Sequence, residues 1–233
     1  MTQPSTFQTF GTSHLVTLGA CVAVLVTLGI LRRLKVGAAI WLERTLGTVL
    51  FTLWPLATLA HWRAGTLDWE NGLPLHFCDL AGIAGGLALW TRKQLPCEIV
   101  YFFGLAGTLQ GLLTPNLEVD FPDGRFLVFF LLHGGVVVTA LHVVTAMKHA
   151  PRPGAVWRMM ALTLGYAVLV TPFNLALGTN FGFLVKKPAR DSLMNHLGAW
   201  PWYIGSLILL ALVFYTILYL PFLIRRRFRP QSS

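Results

Sequence analysis

Charge is what this 233-residue chain has least of. Only 12% of its residues are Asp, Glu, Lys or Arg, about half the share of an ordinary soluble domain. With 55% hydrophobic residues and a mean hydropathy of +0.64, the chain reads as a polytopic membrane protein and not as a water-soluble globule. Acids are scarcer still, 9 against 18 bases, which gives a net charge of +9 and a pI near 10. In a soluble chain that balance would point to nucleic acid. Here the basic residues stand at the ends of apolar runs, where membrane proteins use them to set orientation, so no nucleic-acid partner is expected.

Cysteine is equally sparse. Cys21, Cys78 and Cys97 are an odd set lying in or beside apolar runs, which argues against a full disulfide framework. Leu18-Gly19-Ala20-Cys21 has the look of a lipoprotein cleavage box. No Lys or Arg precedes it, so the charged leader of a secretory signal is missing and Cys21 reads as part of a retained first span. Unbroken strand-like alternation, an inserted soluble domain and internal repeats are all missing, which leaves helices as the way to satisfy the backbone in lipid.

What the chain does have is seven apolar runs near the length of about 20 residues that a spanning helix needs. They cover roughly 14–31, 43–62, 73–90, 96–113, 124–147, 156–177 and 203–223. The expected fold is all-α, a single transmembrane domain over residues 1–233 built as a bundle of seven transmembrane helices. Thirteen bases fall on one side of this arrangement, among them Arg32, Arg92, Arg152, Arg158 and the Arg225–Arg227 run, and five fall on the other. The positive-inside rule then puts the N-terminus outside and the C-terminus in the cytoplasm. The Trp200-Pro201-Trp202-Tyr203 cluster fits an aromatic belt at the outer interface.

The few polar groups inside these runs are concentrated. His76, Cys78 and Asp79 enter with the third span, Gln110 ends the fourth, His133 lies about 13 Å into the fifth and Asn174 nears the end of the sixth. All six fall in one slab below the outer surface. Ionisable groups in lipid are costly, so they face the bundle interior and mark a site. Asp79, Gly82 and Gly86 share a helix face with His76, and small residues at that spacing admit a close neighbour. Pro172, just before Asn174, points to a broken helix of the kind that lines a cavity. Simpler readings stand beside these. Gln110 and Asn174 suit plain interhelical hydrogen bonds, and a lone buried cysteine suits packing.

The strings LPLHFCDL, GLAGTLQGLLTPNL, RFLVFFLLHGG, LGTNFGFLVKKP and WPWY, over about residues 73–222, resemble the YwaF-like integral membrane proteins. The eukaryotic relatives of that family look like transmembrane phospholipid acyltransferases. They are also similar to androgen-induced membrane hydrolases that split fatty acid esters. The resemblance implies an enzyme acting on phospholipid or lysophospholipid, with Cys78 as acyl-accepting nucleophile and His133 as its base.

On chemical grounds a nearby His generates a thiolate, and Asp79 would orient an imidazole as the third member of a triad does. Gln110 and Asn174 would donate to the oxyanion. Lys186, Lys187 and Arg190 sit against the charge trend, and with Asn180 they are expected to receive a lipid phosphate; headgroup snorkelling accounts for them as well. Membrane lipids are the expected partners, no cofactor is implied, and a bacterial inner membrane is the expected location. Two other functions stay open. A proton-coupled transporter fits polar groups beside a broken helix. A metal-dependent hydrolase would use His76, Asp79 and His133 as ligands. A retinal-type sensor is disfavoured because the last span has no lysine.

Overall fold

Long apolar stretches punctuated by short basic or Gly/Pro-bearing links give helices wherever the sequence allows them. A computed structural model describes residues 6–188 and 192–228. Among them lie nine α-helices: α1 Thr12–Arg33, α2 Ala38–Arg63, α3 Trp69–Gly72, α4 Phe77–Thr91, α5 Gln94–Phe103, α6 Leu109–Leu113, α7 Gly124–Thr145, α8 Ala155–Leu177 and α9 Trp202–Arg227. Short 3-10 turns at Phe181–Phe183 and Leu193–His196 shape the link from α8 to α9. Among the described residues strand pairing is limited to one isolated bridge, Thr6 with Val119. Arg190, one of the residues expected to meet phosphate, lies outside the described residues.

Among the described residues six helical stretches are long and apolar enough to cross a membrane: Thr12–Arg33, Trp69–Thr91, Gln94–Leu113, Gly124–Thr145, Ala155–Leu177 and Trp202–Arg227. α2 reaches 26 residues but is diluted by Glu43, Arg44, four threonines, Pro55 and His61. It is still central, packing along α4 and α7. Outward-facing Val16, Val22, Val168, Leu169, Leu175, Leu209 and Ile217 give the bundle an apolar exterior, as lipid requires and water would penalise.

The stretch Trp69–Thr91 is not one continuous helix but α3 followed by α4. α4 has only 15 residues, a rise of about 22 Å, and the link 73–76 separates it from α3. The glycines of α4 explain how closely it is gripped. A methyl at Gly82 would lie 2.7 Å from Leu132 of α7, and one at Gly86 would lie 2.8 Å from the Phe51 ring of α2. The packed core of Ala81, Ala84, Ala88, Val100, Phe102, Phe103, Val136 and Ala140 fills the space between α4, α5 and α7.

The helix irregularity that matters lies away from Pro172, which faces outward in an α8 that runs unbroken to Leu177. Between α5 and α6 the chain makes a π-helical turn over Gly104–Thr108. Such turns insert an extra residue into the helix and re-aim the side chains that follow, often at functional sites. Gly104 admits Val136 and Ala140, and Gly107 admits the Phe77 ring.

At the basic end of the bundle, two buried carboxylates tie the helices together. Glu43 accepts from Arg32, from Arg92 Nη2 at 3.0 Å and from His142 Nε2 at 2.7 Å. Glu98 accepts from Arg152 at 2.9 Å and from Arg158 at 3.3 Å. Four of the bases that set the orientation expectation are therefore also structural clamps.

Candidate functional site

At the end of the bundle opposite the two clamps, a cavity of about 760 Å³ opens between α2, α4, α6, α7, α8 and α9. His76, Cys78, Asp79, Gln110 and His133 all line it. Five of the six polar side chains expected to share one slab thus face one hollow, brought there by three separate stretches of chain.

Cys78 is the second residue of α4, ahead of Asp79 and Leu80, whose N–H groups donate to the His76 carbonyl. Asp79 fixes this start. Its Oδ2 accepts from the His76 backbone N–H at 3.0 Å, which is the reciprocal half of a capping arrangement. The carboxylate bonds to backbone and not to an imidazole, which differs from the orienting contact expected for it. The His76 ring instead meets the Phe181 ring edge-on at 5.1 Å.

His133 is placed by its own helix. Its Nδ1 lies 2.8 Å from the Phe129 carbonyl, one turn back, and its ring stacks on the Phe129 ring at 4.0 Å. A carbonyl only accepts, so Nδ1 carries the proton and Nε2 keeps its lone pair. That edge of the ring rests over Gly111, where a methyl would come within 2.8 Å of Nε2. Gln110 stands next to Gly111 on the turn re-aimed by the π segment.

Asn174 and Asn180 do other work. Asn174 is buried and takes no part in the cavity wall. Its Nδ2 donates to Phe181 O at 3.0 Å, and its Oδ1 accepts from Phe181 N at 2.8 Å and from Thr179 Oγ1 at 3.0 Å. Asn180 Oδ1 accepts from the backbones of Val185 and Lys186, its Nδ2 donates to Lys186 O, and its own N–H goes to Glu70 Oε2. Both amides are spent on shaping the loop over the cavity. Their spacing in sequence looks like that of ligand donors, because loop scaffolds and ligand sites use the same side chains. Lys187 Nζ donates to Asn195 O at 3.3 Å and lies over the Tyr203 ring at 5.6 Å, while Lys186 is exposed; neither lines the cavity.

The mouth is polar, with His61, Asp68, Glu70, Asn71, Asn116 and Arg125 on its rim. Arg125 is engaged by Asp123 at 2.8 Å, and its guanidinium holds that carboxyl below the usual carboxylate range. Tyr166 supports the mouth from α8, donating to Leu75 O at 2.8 Å, and Tyr203 donates to Phe183 O at 2.6 Å. The deeper wall is apolar and comes from α8 and α9, which the polar pattern of the sequence gives no reason to single out. Among the described residues no group of three His, Cys, Asp or Glu side chains converges as a metal site would require.

The chain matches the TMEM164 family over residues 9–219. It belongs to the TMEM164 family. This is a family of transmembrane proteins, and its match takes in every residue that lines the cavity. The chain is also similar to an uncharacterised protein of Treponema pallidum (strain Nichols), 26% identical over 160 residues, which are 66% of this chain and 64% of that relative. No solved structure matches the chain.

Proposed function

We propose that this TMEM164 family member is a membrane-embedded acyl-transfer enzyme that works on phospholipid or lysophospholipid through Cys78 and His133. The observation that carries the reading is the shared hollow. A thiol at a helix start and an imidazole with a free Nε2 both face one cavity whose deep wall is apolar and whose mouth is polar. A lipid has the same division.

The reaction follows from these groups. Nε2 of His133 takes the Cys78 proton, and the sulfur attacks the ester carbonyl of a donor phospholipid. The oxyanion is met by the Phe77 and Cys78 N–H groups at the start of α4, ahead of those that donate to the His76 carbonyl, and by the Gln110 amide. The intermediate collapses, the C–O bond breaks, and the imidazolium returns its proton to the leaving alkoxide. An acyl thioester and a lysophospholipid result. In the second half the hydroxyl of an acceptor lysophospholipid gives its proton to His133 and attacks the thioester, which regenerates the thiol. Asp79 serves by holding the helix start that presents Cys78.

We place seven helices across the membrane, counting α2 because of its packing along α4 and α7. That puts the N-terminus and the cavity mouth outside and the clamped basic end in the cytoplasm of a bacterial inner membrane. The test is the intact mass of the protein isolated from its own membrane. An acyl adduct that hydroxylamine removes, and that Cys78→Ala abolishes, supports the reading. Full acyl transfer to lysophospholipid by Cys78→Ala protein sinks it.

A further inference from the structure

The cavity walls do not end at one depth. α4 contributes only its first turn, Phe77 to Asp79, and α7 stops contributing at His133. α9 continues past them. Among its lining residues, Ile204, Ile208, Ala211 and Tyr215 repeat at the three- and four-residue spacing of one helix stripe, with Leu207, Leu210 and Phe214 beside them, a rise of about 16 Å from first to last. No α9 residue beyond Tyr215 lines the cavity, and Thr163 is the innermost lining residue of α8. These two end residues meet, with the Tyr215 hydroxyl 2.8 Å from Thr163 Oγ1.

The closure is solid. Tyr215 is 1% exposed, and its ring packs against Phe102 at 5.5 Å and stacks with Phe103 at 6.3 Å. Phe103 in turn stacks on Phe77 at 4.1 Å, and Phe77 directly precedes Cys78. An aromatic column therefore joins the start of α4 to the end of the apolar arm, and it fixes how far below the thiol the arm can reach. We propose that the Tyr215–Thr163 pair is the floor of an alkyl-chain arm and sets the longest chain the cavity accepts. This rests on reading the cavity as a lipid site.

The experiment uses the full chain carrying Cys78→Ala, so that occupancy does not depend on transfer chemistry. Saturated fatty acids of increasing length displace an environment-sensitive fluorescent fatty acid from the purified protein. Affinity should climb about fourfold per methylene while the arm fills, then level off or fall at a break point. Tyr215→Ala should move that break to longer chains, and Ala211→Phe, one turn higher, should move it to shorter ones. Tyr215→Phe keeps the ring and should leave it in place. If Tyr215→Ala does not fold, Ala211→Phe decides. A break point unmoved by Ala211→Phe overturns the proposal, and so does a shift with Tyr215→Phe equal to that with Tyr215→Ala. Failure of acyl transfer with these shifts intact would overturn the enzyme reading alone.

Discussion

His133 donates a hydrogen bond from Nδ1–H to the carbonyl of Phe129 at 2.8 Å, and this one bond decides which nitrogen of the ring is free. The i to i−4 geometry is built into α7 and needs no partner from another helix. The free nitrogen rests over Gly111, on the turn that follows the π segment, so the position of the base depends on that turn having no side chain there.

Gly111→Ala tests this dependence. The new methyl would lie 2.7 Å from His133 Cδ2 and 2.8 Å from Nε2, so the ring must shift. A misplacement of about 1 Å costs on the order of a hundredfold in rate. The expected outcome is a loss of that size in acylation of Cys78, read by mass, with thermal unfolding in detergent little changed. Unaltered acylation would mean that His133 is not the base.

Asp79 separates a positioning role from a triad role. An Asn at 79 keeps an oxygen that can accept from the His76 N–H, while an Ala does not. Asp79→Asn should retain most acylation, and Asp79→Ala should lose about 1 kcal/mol of stability together with acylation. If the carboxylate charge oriented the imidazole, Asp79→Asn would drop the rate by about 10⁴.

Glu43 should dominate stability at the basic end. Its side chain is fully buried, and removing it leaves Arg32, Arg92 and His142 facing one another. Glu43→Ala should cost about 3–5 kcal/mol. Arg92 is 41% exposed, so Arg92→Ala should cost no more than about 1 kcal/mol. Thermal unfolding of the two variants in the same lipid checks the ordering.

Asn174→Ala should loosen the loop above the cavity without touching the proposed chemistry. It orphans the Phe181 N–H and carbonyl, at about 1–3 kcal/mol for each buried group left unpaired. Hydrogen exchange should rise over residues 178–186, and a water-soluble thiol reagent should reach Cys78 faster. Unchanged exchange in that loop would show that Asn174 does not organise it.

Much of the architecture was legible in the sequence because its cause is local. Apolar runs of spanning length make helices, and the lack of charge forbids a soluble globule. The observed helices therefore lie within a few residues of the expected runs. The gathering of His76, Cys78, Asp79, Gln110 and His133 also followed from depth, because each helix carries its polar residue at a fixed rise from its end. Depth does not determine direction around the helix or choice of partner. Asn174 and Asn180 lie at the right level but turn to loop backbone. Asp79 binds a backbone N–H, and His142 finds Glu43, a residue 99 positions away. The extra residue of the π turn, the resting place of His133 over Gly111 and the meeting of Thr163 with Tyr215 arise only when non-adjacent helices pack. Each depends on which side chains close the space between helices, and that is a property of the assembled bundle.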